Sequence, residues 1–296
     1  MKKVKNGFVP ALGTPIDENG NLIASSYEAQ INRMIDAGAV ALLCMGSMGQ
    51  QAFLRTDVCT KTAETAVRAA AGRVPVFVGA MDNSIARAKE RIAAMEHLDL
   101  TAFVFTTPYY ESGSRAHVMH YFRSIAAATK HDIMLYDLPS VTNFKITYDM
   151  VEELYRDVPN LKGIKSGDIF MIRKIKTNPM FKDFQVFYSG LDAFDVAYTW
   201  GVEHVLDGMF SCTPVNGEKL IAALDAGDRT AAAEALNNII SLRDVLLEND
   251  LWPAYTVAMN LLGFEGFHAP DWSGAVSAQA AENVRNEMIR IGELKA

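Results

Sequence analysis

Cysteine is scarce in this chain of 296 residues, and the three present, Cys44, Cys59 and Cys212, form an odd, scattered set. They make neither a disulfide framework nor a CxxC zinc or redox motif. Positive charge is not in surplus either: 28 Lys and Arg stand against 35 Asp and Glu, a formal net charge of -7. Without a basic tract the chain is poorly suited to neutralising phosphates, which argues against nucleic acid or an acidic membrane surface as a partner. No apolar run approaches the roughly 18 residues needed to span a bilayer. The opening segment, MKKVKNGFVPALGTP, is basic and then apolar like a signal peptide, but Pro10, Gly13 and Pro15 break it up. No small-residue cleavage pattern follows. Linker-like and low-complexity stretches are also missing. These absences predict a soluble, cytoplasmic globular protein.

What is present is half hydrophobic and strongly patterned. Short apolar runs fall at 7–12, 40–46, 75–81, 102–108, 132–139, 161–166, 184–190 and 204–210. They have strand length, are rich in Val, Phe, Ile and Leu, and are bounded by Gly, Pro, Asn or Asp. Most are continuously apolar rather than alternating, as in a parallel sheet covered on both faces. Amphipathic stretches at 27–37, 60–71, 85–97, 117–129 and 148–155 separate them. Ser25/Ser26, Thr56/Asp57, Ser84, Ser114 and Thr147 stand where N-caps are wanted. Eight such βα units close a barrel. The alternative, an open doubly wound sheet binding a dinucleotide, wants a GxGxxG turn after an early strand, and the chain has none. The prediction is an α/β protein, a (β/α)8 TIM barrel over 1–228, with a C-terminal helical extension over 229–296 packed on it. A helix at 217–226 closes the barrel. Helices at 231–249, 254–262 and 277–294 follow, separated by breaks at Trp252-Pro253 and Pro270-Asp271.

In such a barrel the chemistry sits where the strands end. Lys165, in LKGIKS, ends the sixth strand; it either reaches solvent or is held dry in the mouth as a nucleophile able to form a Schiff base. Tyr136, in LYDLPS, ends the fifth; its phenol can carry protons, or it is an aromatic of the core. The Gly46-Ser47-Met48-Gly49-Gln50 turn exposes backbone N–H groups that can hold a small carboxylate, or is an ordinary βα turn. It lacks the Lys and hydroxyl of a P-loop. Tyr109 and Tyr110, after TTP, are candidates for the site or for a subunit contact. His117 and His120 have helical spacing but no acidic partner in register, so a metal site is not predicted. No Gly-x-Ser-x-Gly elbow is present.

In order, the TP of ALGTP, the GxxG turn, TPYY, LYxxP, GIK and SGxD (Ser189-Gly190-Leu191-Asp192) resemble the dihydrodipicolinate synthase / N-acetylneuraminate lyase family along essentially the whole chain. The resemblance implies a Schiff-base barrel enzyme acting through pyruvate, usually a homotetramer built as a dimer of dimers. It implies that Lys165 forms the imine, that Tyr136 relays protons, and that Ser47 with the Ser47 and Met48 amides holds the pyruvate carboxylate. Tyr110 would reach across a dimer interface to join Ser47 and Tyr136. Thr14, Val141, Asp192, Leu206 and Asp207 would surround the substrate. Pyruvate and a small aldehyde or 2-keto acid are the implied partners, and no metal or organic cofactor is called for, because the lysine iminium is the electron sink.

The departures from the family pattern bear on substrate. The synthase branch carries an Arg two residues after the proline of LYxxP; Val141 stands there and cannot make a bidentate carboxylate contact. Arg115 is a candidate substitute. Met48 replaces a small hydroxyl residue, Gln50 a common Glu, and Asp207 a small residue, while the SGD segment after Lys165 is short. An inward carboxylate repels acidic substrates and accepts from sugar hydroxyls. The leading expectation is therefore an aldolase or lyase for a 2-keto-3-deoxy sugar acid or related 2-keto-4-hydroxy acid. Dihydrodipicolinate synthase, condensing pyruvate with aspartate semialdehyde, stands second. A 2-keto-3-deoxy acid dehydratase and a non-catalytic keto-acid-binding barrel are further alternatives.

Overall fold

The computed structural model describes residues 1–295 apart from Ser112. Strands and helices alternate: β1 (Gly7–Pro10), α1 (Ala24–Asp36), β2 (Leu42–Cys44), α2 (Thr56–Ala70), β3 (Val76–Gly79), α3 (Ile85–Met95), β4 (Ala102–Thr106) and α4 (Arg115–Ala126). The second half runs β5 (Asp132–Tyr136), α5 (Pro139–Thr142), α6 (Tyr148–Asp157), β6 (Leu161–Ser166), α7 (Ile169–Thr177), β7 (Gln185–Tyr188), α8 (Phe194–Tyr198), β8 (His204–Asp207) and α9 (Pro214–Ala226). Helices α10 (Arg229–Glu248), α11 (Leu251–Leu261) and α12 (Ala278–Arg290) complete the chain. All strand pairs are parallel, in the order β1-β8-β7-β6-β5-β4-β3-β2. A parallel bridge between Ala11 and Leu43 joins the two ends, with the Leu12 N–H donating to the Leu43 carbonyl at 2.9 Å. The predicted TIM barrel is the observed fold.

Both faces of the strands are buried, the interior face against other strands and the outer face against the helices, which is why the runs read as continuously apolar. Phe77 on β3 and Phe187 on β7, opposite one another in the strand order, meet edge to face with centroids 5.2 Å apart. They fill the barrel axis, so the interior is a packed core and the site is confined to its rim.

Two of the expected helix caps are observed and the other local expectations are corrected. Ser84 and Ser114 cap α3 and α4 through the N–H groups of Arg87 and His117. The N-cap of α1 is instead Ile23 and that of α2 is Arg55; Thr147 holds the cap position of α6 without a side-chain bond. The break before α11 is not Trp252-Pro253. Asp250, at φ 64, makes the turn, and Pro253 sits in the first turn, where a missing N–H costs no helical bond. The short helices α5, α7 and α8 have no counterpart among the expected helices.

The C-terminal helices reach the barrel rim at Gly13, where an added Cβ would lie 2.9 Å from both His268 Nδ1 and the Tyr255 hydroxyl. His268 is fully buried, with Nε2 2.9 Å from the Phe264 carbonyl, and burial pushes its imidazole down from 6.5 to about 4. The folded chain keeps this ring neutral while the unfolded chain protonates it. Stability is therefore present above the unfolded value and is lost as pH falls from 6.5 towards 4, by up to about 3 kcal/mol. Denaturant unfolding between pH 7 and 4 checks this: the acid loss should shrink in His268→Gln, and an equal loss in both proteins would refute the assignment.

Candidate active site

Tyr136 and Lys165 are register partners on β5 and β6, so their side chains leave the sheet on the same face. Lys165 is only 5% exposed, and its Nζ lies 3.8 Å from the centroid of the Tyr136 ring. Among the described residues no carboxylate comes within ion-pair distance of this amine. The Tyr136 hydroxyl shares a 3.4 Å hydrogen bond with Ser47 Oγ. The turn after β2 thus reaches across the mouth to β5 and brings amine, phenol and hydroxyl together.

That turn is made by tight backbone geometry. Met45 and Gln50 have positive φ, 55° and 59°, and a Cβ at Gly49 would meet the Met45 Cα at 2.8 Å and the Leu12 carbonyl at 2.9 Å. Only glycine fits there. Ser47 is exposed at the mouth, and among the described residues the Ser47 and Met48 N–H groups have no protein acceptor. Two free amides beside a hydroxyl suit a small carboxylate. Thr14 is corrected from a substrate contact to a support: fully buried, it donates from Oγ1 to the Gly49 carbonyl at 2.8 Å, and its own carbonyl accepts from Gln50 Nε2 at 3.1 Å. Met48 does not line up as a hydroxyl substitute either. It packs over the end of β8, where a Cβ on Gly208 would collide with its Cγ.

Charge at the mouth is dominated by one arginine that no motif marked. Arg243, on α10, grips Asp192 bidentately at 2.8 and 2.9 Å and also contacts Asp244 at 2.9 Å. Its hydrogen bonds hold the Asp192 carboxyl below the usual carboxylate range. Asp192 is therefore an anchor for α10, with its oxygens engaged, and not the free acceptor the sequence suggested. Asp207, at the end of β8, accepts from the Met209 N–H at 2.9 Å. Burial raises its carboxyl above the ordinary value, against the opposing charges of Lys165 and Arg243. Leu206 is fully buried beside Val9 in the barrel wall. Val141 is 54% exposed on α5, and Arg115 is tied to Glu153 at 2.5 Å, so neither supplies a cation to the mouth. Tyr110 is 89% exposed and does not meet Ser47 or Tyr136 within one chain; Asn83 Oδ1 accepts from the Tyr109 and Tyr110 N–H groups at 2.8 Å each. A recess of about 490 Å³ opens at the opposite rim, among Met1, Lys3, Gln185 and His204, remote from the lysine and tyrosine. Its size is not a guide to the chemistry.

An amine buried against a phenol at the strand ends of a (β/α)8 barrel is the equipment of a Schiff-base enzyme. Comparison with known proteins gives the family. The model of the dihydrodipicolinate synthetase family matches residues 4–284. The 4-hydroxy-tetrahydrodipicolinate synthase of Exiguobacterium sibiricum is 30% identical over 245 residues, 82% of this chain and 83% of that protein. The synthase of Methanococcoides burtonii is 28% identical over 98% of this chain and 99% of its own. Among solved structures, Proteus mirabilis N-acetylneuraminate lyase superposes with a TM-score of 0.90 at 19% identity, covering 99% of this chain and 100% of that one. Thermotoga maritima dihydrodipicolinate synthase gives 0.88 at 24% identity, with 99% and 100% covered. The chain belongs to the dihydrodipicolinate synthetase family and is a Schiff-base pyruvate aldolase or lyase. The synthase, placed second on sequence, is the name these relatives carry.

Thr14 gives the site its first test. Thr14→Val leaves the Gly49 carbonyl without its buried donor, worth about 1–3 kcal/mol, and should raise half-saturating pyruvate by roughly fivefold or more. Pyruvate titration followed by reductive trapping reads this; an unchanged midpoint would show that the turn does not need Thr14.

Proposed function

We propose that Lys165 Nζ attacks the keto carbon of pyruvate and expels water to form an iminium. The iminium withdraws electrons from C3, a proton leaves that carbon, and the enamine adds to an aldehyde; the reverse sequence cleaves the C3–C4 bond. Tyr136 delivers and removes protons at the imine and at the new hydroxyl, with Ser47 as its hydrogen-bonded neighbour. Ser47 and the Ser47 and Met48 amides hold the carboxylate. The observation that carries this reading is the 3.8 Å contact between the buried Lys165 amine and the Tyr136 ring, next to the Ser47–Tyr136 bond.

For the second substrate, the names of the relatives support condensation with aspartate semialdehyde, the 4-hydroxy-tetrahydrodipicolinate synthase reaction. One observation favours the other reading, cleavage of a 2-keto-3-deoxy sugar acid: Val141 offers no cation, and Arg243 is already held by Asp192 and Asp244 beside Asp207. Such a mouth has little to offer a second carboxylate and much to offer hydroxyl groups. The working enzyme is a homo-oligomer in this proposal, a dimer of dimers, in which Tyr110 is covered by a neighbouring copy. Solution mass checks that state, and a monomer would remove it.

Borohydride reduction in the presence of pyruvate should place the adduct on Lys165 by peptide mapping, and no adduct there would end the Schiff-base account. Tyr136→Phe should lower turnover about a hundredfold or more with little change in pyruvate binding. Two assays separate the second substrates: pyruvate consumed with aspartate semialdehyde, or pyruvate released from 2-keto-3-deoxy acids.

A further inference from the structure

The residues immediately after the lysine and the tyrosine are tied to each other behind the barrel wall. Strand alternation turns Asp137 and Ser166 away from the interior that Tyr136 and Lys165 face. Ser166 Oγ donates to Asp137 Oδ2 at 2.8 Å, and the Asp137 N–H donates to the Lys165 carbonyl at 2.9 Å. Asp137 Oδ1 accepts from the Ile146 N–H at 3.1 Å. Lys145 completes the cluster: its Nζ pairs with Asp137 Oδ2 and, at 3.0 Å, with Asp168 Oδ2. The Asp168 N–H in turn donates to Ser166 Oγ at 3.0 Å, and Asp168 Oδ1 caps α7 through the Met171 N–H at 2.9 Å. The short SGD segment after Lys165 is thus used fully: Ser166 ties β6 to β5, and Asp168 ties both to Lys145 and α7.

We infer that Asp137, bonded to Ser166 and countered by Lys145, is a positioning residue for the Lys165–Tyr136 pair. This rests on the Schiff-base reading of that pair. Asp137 holds the β6 end twice, through its N–H to the Lys165 carbonyl and through its carboxylate to the Ser166 hydroxyl. The two strand ends that carry amine and phenol therefore cannot slide or splay independently. Proton transfer at an enamine depends steeply on such spacing, since a misplacement of about 1 Å costs on the order of a hundredfold in rate. A buried carboxylate without its cation would be costly, and Lys145 removes that cost while joining the segment before α6 and the N-cap of α7 to the same point.

The experiment measures exchange of the pyruvate C3 protons into deuterated water, together with the melting temperature, for the wild type and three variants. Asp137→Ala is expected to lower the maximal exchange rate roughly 10- to 100-fold while half-saturating pyruvate stays within about threefold. Asp137→Asn can still accept from the Ile146 N–H and donate to Ser166 Oγ; it keeps the tie, loses the ion pair, and should recover most of the rate. Ser166→Ala keeps the Asp137–Lys145 pair and removes the tie together with the acceptor of the Asp168 N–H; the expected loss is roughly three- to tenfold, and it decides the matter if Asp137→Ala does not fold. Wild-type exchange rates in folded Asp137→Ala or in Ser166→Ala, with only the melting temperature lowered, would overturn the inference and leave the Schiff base intact. A wild-type chain that traps no pyruvate on Lys165 would remove both.

Discussion

A lysine amine kept inside a barrel wall and covered on one side by a phenol ring is the contact around which the mouth is arranged. It depends on strand register. Because Tyr136 pairs with Lys165 across β5 and β6, both side chains must leave the sheet on one face. A slip of one residue would send one of them towards the helices and destroy the pair. The same alternation puts Asp137 and Ser166 on the other face, so the reacting groups and the groups that fix the strand ends are separated by the sheet itself. Filling of the barrel axis by Phe77 and Phe187 then leaves the rim as the place where a small molecule can meet the amine.

The turn after β2 supplies the opposite side of the site by a different route. Its conformation is set by positive φ at Met45 and Gln50 and by a glycine with no room for a side chain. Thr14 and Gln50 pin it to the segment after β1, so that segment and the turn form one unit. The hydroxyl of Ser47 therefore meets the phenol without being held by the substrate. Met48 covers Gly208 at the end of β8, so that side of the turn presents a thioether chain and no hydroxyl.

The barrel was legible in the sequence because its strands are buried on both faces and read as apolar runs of the right length and number. Helix starts were less so: Ile23 and Arg55 cap helices without side-chain bonds, since the chain path fixes those starts and no capping residue is required. That Lys165, Tyr136 and Ser47 stand at the rim was legible because each lies at a strand end or in the turn after one, and the folded chain brings the three together. Thr14 and Asp192 were expected to touch substrate from their positions after β1 and β7, but their side chains are engaged by Gly49 and Arg243. Arg243 itself stands in mid-helix, 51 residues from Asp192, with nothing in its local pattern to distinguish it from a solvated arginine. The tie from Asp137 to Ser166 spans 29 residues and joins two side chains on the outer side of the sheet, where apolar periodicity carries no information about polar pairing.

The C-terminal helices touch this machinery at two separate points. Helix α10 delivers Arg243 to Asp192 and to the field at Asp207, and His268 and Tyr255 press against Gly13, one residue before the threonine that holds the turn. A side chain at Gly13 would have to displace both rings, so the path of the chain into Thr14 is set by the extension as much as by β1. The charge balance has the same dependence: without α10, Asp192 would lose its bidentate partner and Asp207 one of the two cations that oppose its burial. The extension therefore belongs to the walls of the site, and the barrel strands alone do not specify it.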